Sequence, residues 1–124
     1  MHHIELWTAD YKASAPSWDW LLRNLGWKEQ DTWHLGKSWR AADASYLVLE
    51  QSSDVNGQHD RMRAGLNHLA LNCMSRQELD HIRAEAPEHG WAELFADRYP
   101  HAGGNQHTAL YLENAEGFEV ELVV

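Results

Sequence analysis

The chain has 124 residues, enough for one ordinary domain or two half-size modules and too few for a separate second domain. Hydrophobic residues make up 44% and seven are Trp, so it can fill a core and does not belong to the disordered class. Ten Lys plus Arg against nineteen Asp plus Glu give a formal charge of -9 with no basic stripe, so nucleic acid is not an expected partner. No segment approaches the ~20 apolar residues of a membrane span, and no basic-then-apolar leader is visible, so a cytoplasmic location without membrane contact is expected. Cys73 is the only cysteine, leaving His, Glu and Asp as the possible ligands of any metal.

The first element is a strand at 3–8, where alternation puts Ile4 and Leu6 on one face and His3, Glu5 and Trp7 on the other. A helix follows within 10–25. Ser14 and Pro16 mark its start, Trp18, Leu21, Leu22 and Leu25 form its apolar stripe, and Gly26 stops it. Strand-like sequence then runs through Trp33, Gly36 and Trp39 to a clear strand at 46–50. The segment 51–65 is polar and reads as a linker. A strand at 67–73 opens the second half, Ser75 with Glu78 starts a capping-box helix carrying Leu79 and Ile82, and Gly90 ends it. Strands at 91–95, 108–113 and 118–124 complete the chain, the last two joined by a turn at 114–117.

The halves match. His3, Ile4, Glu5, Leu6 answer His68, Leu69, Ala70, Leu71; Leu25, Gly26, Trp27 answer His89, Gly90, Trp91; and Leu47 to Glu50 answer Glu119 to Leu122. The predicted architecture is therefore α+β, with two tandem βαβββ modules, 1–52 and 65–124, joined by the polar linker. If the apolar strand faces pack on the helices, the opposite faces form one curved surface bearing His3, Glu50, His68 and Glu121. Each of these is ordinary on a half-exposed sheet. Together, at matched places, two imidazoles and two carboxylates make a site for a divalent transition ion such as Zn, Ni, Co, Mn or Fe.

With these stretches the sequence resembles the vicinal oxygen chelate superfamily of glyoxalases, extradiol dioxygenases, and fosfomycin and bleomycin resistance proteins. The resemblance rests on the segments 3–6, 65–71 and 111–122; the last resembles the family's turn followed by a metal-binding Glu, here with Asn114, Ala115, Glu116, Gly117 as the turn. It implies sheets wrapped into a cup around one metal ion held by His3, Glu50, His68 and Glu121. It also implies a lyase or isomerase that removes a proton beside a carbonyl and passes through a metal-stabilised enediolate, with Glu121 ahead of Glu50 as base. The first-strand place where an Arg would hold glutathione is occupied by Trp7, so glutathione is not expected. Glu5, Trp7, Tyr46, Asn72 and Tyr111 fall on the polar side as substrate-binding candidates, and His107 as an acid or base near the metal. The segment 99–106 reads as a loop that covers the cup or whose glycines serve only a turn, and His2 faces away from His3 by alternation. Two rival readings are a resistance-type protein that binds a flat drug without chemistry and an extradiol-type dioxygenase. A homodimer acting on a small molecule is expected by resemblance.

Overall fold

A computed structural model describes all residues 1–124. The chain divides into two compact units, Met1–His59 and Asp60–Val124, so the boundary falls inside the polar linker. Each unit is an α+β module, as the sequence predicts.

In the first unit, β1 (His3–Trp7) is followed by α1 (Tyr11–Asn24), β2 (Lys28–Trp33), β3 (Gly36–Arg40) and β4 (Tyr46–Glu50). The sheet order is β1-β4-β3-β2, with β1 and β4 parallel and the remaining neighbours antiparallel. The helix starts earlier than Ser14 and Pro16 suggest. Asp10 is its cap, accepting a 3.1 Å hydrogen bond from the Ala13 amide, while Ser14 is buried one turn in and Pro16 sits inside the helix. Pro16 has no N–H to give the Lys12 carbonyl, a loss that is modest this close to the N-terminus. At the other end the Trp27 amide reaches Leu22 O at 2.9 Å and the Gly26 amide reaches Arg23 O at 3.0 Å, a Schellman closure that requires the positive φ of Gly26. Trp18, Leu21 and Leu22 are fully buried with Trp39, Leu47 and Leu49. Each such side chain contributes about 1.5–3 kcal/mol by burial.

In the second unit, β5 (His68–Asn72), α2 (Arg76–Glu85), β6 (Trp91–Leu94), β7 (Ala109–Asn114) and β8 (Glu119–Val123) repeat the plan in the order β5-β8-β7-β6, with short 3-10 turns after α2 and after β6. Ser75 Oγ accepts from the Glu78 amide at 3.1 Å, and Glu78 reaches back to the Met74 amide at 3.1 Å, one residue before the partner of a standard capping box. Leu79, Ile82, Leu110, Leu112, Val120 and Leu122 are fully buried. Asn114 Oδ1 accepts from the amides of Glu116 and Phe118 and so fixes the β7–β8 turn. Neither helix is long and apolar enough to cross a membrane.

Candidate functional site

The second module concentrates its chemistry on Glu121. Val120 and Leu122 are buried against the helix side, so alternation turns Glu121 to the opposite face of β8. Parallel pairing sets it beside Ala70 of β5, two residues from His68, and antiparallel pairing sets it beside Tyr111 of β7. The small Ala70 leaves room for the imidazole. His68 Nε2 stands 3.3 Å from Glu121 Oε2. On Oε1, Tyr111 OH donates at 2.7 Å and His107 Nε2 lies at 2.5 Å. The carboxylate is thus flanked by three polar groups while its side chain is 10% exposed.

Burial alone would raise the pKa of Glu121. The hydrogen bonds from His107 and Tyr111 and the nearby positive charge of His107 and His68 outweigh it, so the pKa falls below the usual carboxylate value. Burial, and then the bond to Glu121, push the Tyr111 hydroxyl up to about 12. The pair is therefore a carboxylate and a neutral phenol at physiological pH.

Asn67 orients His68 from the strand entrance, a role the sequence reading did not assign. Its Nδ2 donates to Arg61 O at 3.1 Å, which turns Oδ1 toward His68 Nδ1 at 2.9 Å. Asn67 thereby fixes the ring so that Nε2 faces Glu121. An amide directly before the histidine was the only available signal. Arg61 itself, from the linker, pairs with Glu113 and with Glu119 Oε2 at 2.9 Å. Gly103 belongs to the loop 99–106 that the sequence marks as a cover or a turn, and it approaches His107 and Tyr111. A Cβ there would lie 2.6 Å from the His107 ring and 2.8 Å from the Tyr111 hydroxyl, so the loop touches both donors of Glu121. Asn72 is exposed at the far end of β5, beside Val123, and joins none of these contacts.

The first module is different. His3 pairs in register with Tyr46 and its ring stacks on that phenol at 4.7 Å. Arg40 lies over the other partner of this cluster, 5.5 Å from the Tyr46 ring. His2 does not face away from His3: the two Nδ1 atoms are 2.8 Å apart. It precedes β1, so strand alternation does not govern it.

Glu50 is not brought to His3. Its register partner on β1 is Trp7, four residues further on and about 13 Å along the strand at ~3.3 Å per residue. It instead accepts from Trp33 Nε1 at 3.1 Å, while Glu5 accepts from Trp7 Nε1 at 2.7 Å. Register also relates the modules. His3 pairs with Tyr46 as His68 pairs with Glu119, so the first-module counterpart of Glu121 is Val48, and Glu50 corresponds to Val123. No group of three or more His, Cys, Asp or Glu side chains is arranged to hold a metal ion. The His68 Nε2 and Glu121 Oε2 pair fits one edge of a coordination shell, because ligands at ~2.1 Å from one ion lie about 3–3.4 Å from each other.

Comparison with known proteins agrees with this architecture. Residues 2–111 match the Glyoxalase/Bleomycin resistance protein/Dioxygenase superfamily. The chain is 40% identical over 125 residues to the uncharacterized protein YqjT of Bacillus subtilis, covering 99% of this chain and 97% of that one. A crystal structure of a glyoxalase-like protein from Bacillus halodurans superposes with a TM-score of 0.91 at 37% identity, over 99% of this chain and 93% of that one. The fosfomycin resistance protein FosX of Listeria monocytogenes, crystallised with Mn(II) and a dihydroxypropylphosphonic acid, shares the fold at a TM-score of 0.63 and 13% identity, over 99% and 87% of the two chains. The chain belongs to the glyoxalase/bleomycin resistance protein/dioxygenase superfamily.

Proposed function

We propose that the protein is a divalent-metal-dependent lyase or isomerase that moves a carbon-bound proton in a small substrate with adjacent oxygens. The observation that carries this reading is the division of labour on one carboxylate. Glu121 Oε2 faces His68 Nε2 and is the ligand side, whereas Oε1 carries His107 and Tyr111 and is the proton side. His68 and Glu121 are the ligands proposed in the second module; Glu50 is set aside because Val48 occupies the matching register. A divalent ion bound there supplies Lewis acidity to two neighbouring substrate oxygens and so acidifies the adjoining C–H. A mutant of FosX, which shares the fold, is complexed with Mn(II) and a molecule that bears two adjacent hydroxyls.

The chain's own residues do the rest. Glu121, kept ionised by its hydrogen bonds, accepts the carbon proton on Oε1. His107 and neutral Tyr111, both hydrogen-bonded to that oxygen, keep the carboxylate in place. Asn67 holds the His68 ring in place.

One observation favours a second reading. With Glu50 displaced in register, the four-ligand set implied for a glyoxalase is incomplete, which favours the extradiol-type dioxygenase as the second reading. The deciding experiment loads the purified protein with Mn, Co, Ni, Zn or Fe(II), measures bound metal, and follows deuterium exchange into dihydroxyacetone by NMR alongside oxygen uptake with catechol. Metal-dependent exchange lost in Glu121→Gln supports the proton-transfer reading. Oxygen uptake with Fe(II) and no exchange replaces it with the dioxygenase, and absence of both with bound metal absent sinks the metal mechanism.

A further inference from the structure

A row of residues crosses the whole first-module sheet on the face turned away from α1. Register places Trp7 beside Glu50, Glu50 beside Gly36, and Gly36 beside Trp33, one residue from each of β1, β4, β3 and β2. We propose that this row, with Glu5, is a binding site for an organic cation, specifically a substituted ammonium group. The proposal rests on the first module alone and holds whether or not Glu121 is a base.

Three observations converge. First, Trp7 and Trp33 are 45% and 40% exposed, whereas Trp18, Trp39 and Trp91 are buried. Second, each exposed indole spends its N–H on a carboxylate, Trp7 on Glu5 and Trp33 on Glu50, which leaves the ring faces as its binding surface and enriches their electron density. Third, the arrangement is built rather than incidental. A Cβ on Gly36 would lie 2.1 Å from Trp33 Cε2 and 2.2 Å from its Nε1, so the indole lies directly over the glycine on its way to Glu50.

Electron-rich ring faces beside two carboxylates attract a cation through both the ring quadrupole and direct charge. No resident cation neutralises them. Arg40 lies at the opposite end of β3 over Tyr46, and Lys37 points to the helix side, where it pairs with Asp19 and Glu29. A hydrated inorganic ion would gain little from indole faces, and the row offers no nitrogen ligand. A second copy of the chain is disfavoured, since contact would bring like carboxylates together on a protein of formal charge -9. A flat neutral molecule would have to strip water from Glu5 and Glu50 without compensation. A methylated or alkylated ammonium satisfies the carboxylates by charge and the indoles by its apolar rim.

The test uses the full chain labelled with 15N, following the indole N–H signals of Trp7 and Trp33 during titration with choline and with its neutral carbon isostere 3,3-dimethylbutan-1-ol. The expected result is saturable shifts of both signals with choline and at least about fivefold weaker binding of the neutral isostere. Glu50→Gln, which keeps an acceptor for Trp33 but loses the charge, should weaken choline by a similar factor, and Trp7→Leu should do so without touching Gly36. Equal responses to the two compounds, or no saturable shift up to about 50 mM choline, overturn the proposal. Indole signals that shift with protein concentration, together with a dimer lost in Trp33→Leu, assign the row to a second copy and overturn it as well.

Discussion

The two modules share a strand order and a pairing register, yet they finish the outer face of the sheet with opposite chemistry. At the first-strand partner position the second module has Glu119 and the first has Tyr46; two residues on, Glu121 stands against Val48, and across the sheet Tyr111 stands against Ser38 and Glu113 against Arg40. The second face therefore gathers carboxylates around two imidazoles and Arg61, while the first stacks His3, Tyr46 and Arg40 at one end and two exposed indoles at the other. The packed sides remain alike, with leucines and tryptophans against one helix. Duplication constrains the side that must exclude water and leaves the other free to diverge.

The sharpest way to break this contrast is to remove its centre. Glu121→Gln should lower metal-dependent exchange by roughly 10²–10⁴, measured by NMR, while Val48→Ala at the matching place should leave it within about twofold. Next in size are the buried tryptophans. Trp18→Ala and Trp91→Ala, one per module, should each destabilise by about 3–5 kcal/mol in urea unfolding, since both cores are closely packed. If only one does, the modules differ in packing as well as in chemistry.

A smaller effect belongs to the first module alone. Burial would raise the pKa of Asp19, but the hydrogen bonds from Trp39, Lys37 and Arg23 lower it on balance below its ordinary value of 3.8. A depressed carboxylate contributes stability that is present above its unfolded pKa and lost as pH falls through the folded one. Wild type should thus lose its advantage over Asp19→Asn in Tm as pH drops below about 4, and at pH 7 the substitution should destabilise by about 1–3 kcal/mol because the Trp39 indole and Lys37 lose a charged partner. Smallest in stability is Asn67→Ala. It should leave Tm nearly unchanged and weaken metal binding by about 10–100-fold, read as a shift in the metal titration.

Much of this was legible in the sequence. Alternation alone puts His68, Glu121 and Tyr111 on a common face, and the glycine-tryptophan pairs at 26–27 and 90–91 betray the repeat. What alternation could not give was position along the strand. Its period of two assigns Glu50 to the right face but says nothing of which β1 residue stands opposite; that register belongs to the parallel β1–β4 ladder, bounded by the bonds from the Tyr46 amide to His2 O and from the Thr8 amide to Glu50 O. The start of α1 was hidden for a related reason. Ser14 and Pro16 both resemble helix openers, and only the bond from the Ala13 amide to Asp10 shows which residue caps. Contacts made through loops, such as Gly103 against His107, left no periodic trace at all.

Gly36 and Gly103 share a property that sets them apart from Gly26. Neither has a positive φ, so their backbones would accept any residue, and what each supplies is an empty volume filled by a neighbour's ring. A saturation scan should therefore show two kinds of glycine in one chain. At Gly26, which faces open space, any side chain meets the same torsional penalty, so size should matter little and Asn should be the mildest replacement. At Gly36 and Gly103 harm should rise steadily with side-chain bulk and fall on binding function before it falls on folding, so that a mutational map by itself would mark out both faces.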